Sequence, residues 1–77
     1  MPDDKVQLFD AQGLSCPAPI INLSERMKGM NEGELLKMLA DDAGALEDIP
    51  AWCRRTGNPL LTIEEKDGLI TALIRKR

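Results

Sequence analysis

LLTIEEKDGLITALIRK, residues 60–76, places two apolar-rich runs on either side of Asp67-Gly68. Asp-Gly is a dipeptide that a two-residue type I′ hairpin prefers, because both central positions need positive φ. Strands are therefore expected over Leu60–Lys66 and Leu69–Lys76. Counting outward from the turn pairs Ile63 with Ala72 and Leu61 with Ile74 on one face, and Ile70 joins them. Thr62, Glu64, Thr71 and Arg75 then face the other way, and Leu60, Leu69 and Leu73 fall on an open sheet surface.

Working back from the hairpin, Leu46, Ile49 and Cys53 recur at three and four residues. This is one face of a helix that closes at Thr56-Gly57-Asn58-Pro59. Pro50 lies inside that pattern. A start near Leu46 fits, and so does a later start at Pro50 with Asp48 as its cap. Glu34–Ala40 is short, apolar and bounded by Gly33 and Asp41-Asp42, as a covered strand would be. Ile20, Leu23, Met27 and Met30 mark an earlier helix, which Pro17 can open because its missing N–H costs nothing at a first helical position. Val6–Asp10 reads as a first strand with Val6 and Leu8 on one face and Phe9 on the other.

The order is βαβαββ. Right-handed crossovers put both helices, at roughly 17–30 and 46–56, on one face of a four-stranded mixed sheet. The fold class is thus an α+β two-layer sandwich, with residues 1–77 forming a single domain.

Composition excludes several functions. Among 77 residues there are two cysteines and no histidine, which makes neither a disulfide scaffold nor a zinc ligand set. No cofactor is implied. Ten basic residues against thirteen acidic ones leave a net charge of -3, with one Phe and one Trp for stacking, so direct nucleic-acid binding is not expected. No apolar run is long enough to span a bilayer, and an acidic start is the wrong polarity for a signal peptide. A cytoplasmic location is the expectation.

Cys16 is the candidate reactive residue. It stands just before a helix at the end of a strand–loop, where the positive end of the helix dipole favours thiolate. A free cysteine can equally be a small buried hydrophobe, and position alone does not choose between the two. Pro17 and Pro19 fix the backbone there and delete two N–H groups, leaving Ala18 and Ile20 as donors. The thiol is accordingly expected to titrate only modestly below the free value of ~8.5. Cys-Pro-Ala-Pro lacks the second thiol of a redox motif, and no histidine is present to serve as base. What remains is a lone nucleophile suited to accepting and surrendering cargo. Cys53, on the Leu46/Ile49 stripe, is expected in the core. Asp42 suits an N-cap for the second helix or a place near Cys16. Arg54-Arg55 and Arg75-Lys76-Arg77 read as solvated surface.

The string Leu14-Ser15-Cys16-Pro17-Ala18-Pro19 resembles the Cys-Pro-x-Pro signature of the TusA/SirA-like sulfur carriers. The resemblance continues through Gly33-Glu34, Ala40-Asp41-Asp42, Asp48-Ile49-Pro50-Ala51-Trp52-Cys53 and the closing hairpin. It implies a sulfurtransferase-type carrier in which Cys16 receives sulfane sulfur from a cysteine desulfurase or another persulfide donor. An acceptor protein would follow, in tRNA 2-thiouridine synthesis, molybdenum-cofactor assembly or sulfur metabolism. Pro17 and Pro19 match the motif prolines, and Asp42 matches an acidic position near the partner-facing surface. The best-known tRNA-thiolation members have glutamate where this chain has Ala18. The competing reading is a binding or regulatory module that keeps the fold without using the thiol.

Overall fold

The computed structural model describes residues 6–77. Its elements run β1 (Val6–Asp10), α1 (Ala18–Lys28), β2 (Leu35–Ala40), α2 (Ala45–Thr56), β3 (Leu60–Lys66) and β4 (Leu69–Arg75). The sheet order is β1-β2-β4-β3. β1 and β2 are parallel, whereas β4 is antiparallel to both β2 and β3. Both helices bury their inner faces in one cluster that includes Phe9 of β1, Leu36 and Met38 of β2, and Ile70 and Ile74 of β4. The expected sandwich with helices on one face is the architecture found.

The hairpin turn forms as its dipeptide demands. Asp67 and Gly68 take φ values of 53° and 85°, and the Gly68 N–H donates to the Glu65 carboxylate at 2.8 Å. Ile63 stands opposite Ala72, but Leu60, not Leu61, stands opposite Ile74. A register shift between Leu60 and Thr62 inserts Leu61 as an extra residue. Such a bulge bends the strand and swaps which side chain points inward. Leu60 consequently packs against the core rather than lying on the open face, and Leu61 is 43% exposed. Counting from the turn assumes an unbroken ladder, which is why it misplaced both leucines.

The longer version of α2 is the one adopted. It begins at Ala45 with Gly44 as N-cap and carries Pro50 inside, so Asp48 is a helical residue and not the cap. Pro50 forfeits one backbone hydrogen bond, at a cost of ~3 kcal/mol or more. Burial of Ala45, Ile49, Trp52 and Cys53 offsets it, since each large apolar side chain contributes about 1.5–3 kcal/mol when removed from water. Leu46 lies outside that stripe and is 40% exposed; the buried phase runs from Ala45 instead.

α1 starts one residue later than expected, at Ala18, with Pro17 as N-cap. Past Lys28 the chain continues in turns, with Gly29 and Met30 N–H groups bonded to the Arg26 and Met27 carbonyls. Met30 is buried as its place on the stripe required. The two helices are joined by the Trp52 indole N–H, which donates to the Ser24 hydroxyl at 2.8 Å. No helix among the described residues is long and apolar enough to cross a membrane.

Candidate functional site

Because β1 and β2 are parallel and each is followed by a helix, α1 and α2 start at the same end of the sheet. The β1–α1 loop and the short β2–α2 loop therefore lie side by side. Asp41 and Asp42 follow directly on β2 and fasten the neighbouring loop. The Gly13 N–H donates to both Asp41 carboxylate oxygens, at 3.1 and 3.0 Å. Gly13 has φ of 86°, a conformation a side chain would resist. The Cys16 N–H donates to Oδ2 of Asp42 at 2.9 Å. Asp42 is thus at the cysteine, and its side chain is not the helix cap; its backbone carbonyl accepts the Ala45 N–H as α2 begins.

Cys16 is exposed and Cys53 is buried, and neither is in a disulfide. The Cys16 sulfur lies 3.5 Å from Oδ2 of Asp48 and donates its proton there. The thiol opens into a shallow cleft of about 230 Å³ lined by Pro17, Ile20, Asp48, Ala51 and Arg55. Pro19 is buried in the first turn of α1 and does not line the cleft. A larger groove, about 580 Å³ between Trp52, Thr56, Asn58 and Arg77, does not include the thiol.

The electrostatics overturn one expectation. The Cys16 thiol is raised above its ordinary range, first by its hydrogen bond to Asp48, then by desolvation and by the charges of Asp48 and Asp42. The helix dipole offers about half a charge spread over the first turn. Asp48 brings a whole negative charge against the sulfur itself, and the closer and larger charge prevails. Nor is the Ala18 N–H available to a thiolate, because it bonds the Ser15 carbonyl at 3.0 Å.

Asp48 is the site residue that sequence reasoning missed. A signal existed in the topology: with both helices starting at one end, an acid in the first turn of α2 must come close to a residue that opens α1. Reading Asp48 as a cap hid this.

Residues 7–76 match the protein family described as Sulfurtransferase TusA. The chain belongs to this TusA family. It is 45% identical over 68 residues to a putative sulfur carrier protein of Aquifex aeolicus, covering 88% of this chain but only 34% of that protein. The chain thus spans about a third of the length of that relative. A putative sulfur carrier protein of Neisseria meningitidis serogroup A is 38% identical, with 92% of this chain and 96% of that one aligned. The sulfur carrier protein TusA of Allochromatium vinosum is 37% identical over 91% of this chain and 92% of its own. Among solved structures, the SirA-like protein of Desulfitobacterium hafniense superposes with a TM-score of 0.78 at 25% identity, covering 91% of this chain and 95% of that one.

Proposed function

We propose that Cys16 carries sulfur as a persulfide, received from a cysteine desulfurase or another protein persulfide and passed to an acceptor protein, in the cytoplasm. The observation that carries this reading is the exposed Cys16 thiol at the shared start of the two helices, opposed to a second cysteine sealed in the core. Loading is an exchange in which the Cys16 sulfur attacks the outer sulfur of the donor persulfide. A new S–S bond forms at Cys16, the donor's S–S bond breaks, and the donor cysteine leaves as thiolate and takes up a proton. Unloading is the same exchange with the acceptor's thiol attacking. Pro17 and Pro19 hold the thiol at the mouth of the cleft, and Asp42 fixes the Cys16 backbone. Ala18, in place of glutamate, counts against the tRNA-thiolation branch and favours another acceptor.

Intact mass spectrometry after incubation with a desulfurase and free cysteine tests the proposal. Wild type gains the mass of one sulfur and Cys16→Ser gains none, because a serine hydroxyl cannot form a stable persulfide. Sulfur adducts persisting on folded Cys16→Ser protein would sink the assignment. A binding-module reading has one observation in its favour: Val6 and Leu8 of β1 are 48% and 57% exposed on the sheet face away from the helices. It takes over if wild type accepts no sulfur from several donors.

A further inference from the structure

The Cys16 sulfur has one side-chain hydrogen-bond partner among the described residues, Oδ2 of Asp48 at 3.5 Å. An ionised carboxylate can only accept, so this bond exists only while the proton stays on sulfur. Asp42 holds a second carboxylate on the same residue through the Cys16 N–H. Other charged groups around the thiol are Asp41, tied to Gly13, Glu47 in the first turn of α2, and Arg55, which lines the cleft; Asp10 at the end of β1 and Glu65, Lys66 and Asp67 at the hairpin stand at the same end of the sheet. Of the residues lining the cleft, Arg55 is the one cation. It lies two helical turns beyond Asp48, roughly 10 Å along the axis, and no ion pair reaches Asp48 among the described residues. The thiol end of the molecule is thus an acidic mouth whose central carboxylate has the sulfur as its partner.

We propose that Asp48 gates Cys16: it holds the thiol proton in the free carrier, and the sulfur becomes a nucleophile when a cationic side chain of a docked partner pairs with that carboxylate. This rests on the carrier reading and names the regulation of the same site. When the partner's lysine or arginine takes Asp48, the thiol loses its acceptor and the repulsion that opposed ionisation, and its proton passes to solvent. The sulfur then attacks the outer sulfur of the donor persulfide; the donor's S–S electron pair returns to the donor cysteine, which is protonated. Two protons exchange places with solvent and nothing is oxidised or reduced overall. Small polysulfides bring no cation and meet a protonated thiol. The gate therefore selects protein persulfides whose reactive cysteine is flanked by basic residues, and discourages stray sulfur transfer.

The test compares wild type, Asp48→Asn and Asp48→Glu, with melting curves to verify folding. The rate of Cys16 alkylation by iodoacetamide is followed across neutral and alkaline pH, with the modified residue identified by peptide mass. Asp48→Asn is expected to react roughly three- to tenfold faster at neutral pH, its profile displaced to lower pH, because below its pKa a thiol gains tenfold in thiolate for each unit the pKa falls. Asp48→Glu, which keeps the charge, should follow wild type. Loading by inorganic polysulfide should rise with the alkylation rate in Asp48→Asn, while loading by a desulfurase does not gain. Superposed Asp48→Asn and wild-type alkylation profiles would overturn the gate, as would equal gains with both sulfur donors. Should Asp48→Asn fail to fold, Asp48→Ser substitutes for it under the same criteria. Failure of the carrier reading shows separately, as wild type taking no sulfur from any donor; it overturns the transfer step, while the alkylation profiles still decide whether Asp48 holds the proton.

Discussion

The two cysteines sit in opposite surroundings and are both reluctant to ionise, for different reasons. Cys16 is exposed and faces two carboxylates, which raise its thiol by hydrogen bonding and charge. Cys53 is 5% exposed on the inner face of α2, and burial pushes its thiol up to about 11. Resistance to ionisation therefore says little about which cysteine can do chemistry. A charge can be countered by a docking partner in an encounter, whereas burial is relieved only by opening the core.

The contrast breaks most sharply on sulfur loading. Cys16→Ser should lose it altogether, and Cys53→Ala should keep it; the reverse pattern in intact masses would invert the assignment. Next in size is Asp42→Ala, which removes the acceptor of the Cys16 N–H. Loading by a desulfurase should slow several-fold while the melting temperature falls by roughly 4–8 °C, a hydrogen bond to an exposed charged group contributing about 1 kcal/mol here. Unchanged loading kinetics would show that Asp42 does not help hold the thiol in place. Cys53→Ala should leave a small void and cost about 1–2 kcal/mol, a fall of roughly 4–8 °C per kcal/mol in a domain this small. A melting curve equal to that of wild type would mean the pocket collapses without loss.

The smallest effect is a pH dependence. Between the ordinary thiol value of ~8.5 and about 11, an unfolded chain would release the Cys53 proton while the folded chain keeps it. The folded state then binds more protons, so this contribution is intact below the unfolded value and is lost as pH rises through that window. The difference in melting temperature between wild type and Cys53→Ala should narrow across it. Cys16 is present in both proteins and cancels. A constant gap would show that Cys53 is less sealed than its burial indicates.

Much of this molecule was legible from residue patterns because those patterns are local. Asp67-Gly68 dictated its turn, and Leu23, Met27 and Met30 announced the buried side of α1. What was missed or left open was settled by a distant contact that outweighed a local rule. Leu61 bulges out of a ladder that no count from the turn could see interrupted. Pro50 is tolerated inside α2 because Ile49, Trp52 and Cys53 have a core to fill. The acidity of Cys16 was read from its own helix, yet it is decided by Asp48, which lies 32 residues further along the chain. Cys16 itself stood out because its prolines flag it. Asp48 did not, since nothing marks an aspartate in a first helical turn until the parallel pairing of β1 and β2 is known.

That parallel pairing also constrains traffic. It gathers the thiol, the loops that hold it and the acids around it at one end of the sheet, beside one small cleft. Under the proposed function, a donor and an acceptor that both react with Cys16 take turns at a shared berth. Delivery becomes a sequence of separate visits, and throughput depends on how quickly each visitor departs as well as on how fast sulfur moves. An excess of either partner should hinder the other, so that adding more acceptor eventually slows filling, in the manner of a shuttle with a single platform.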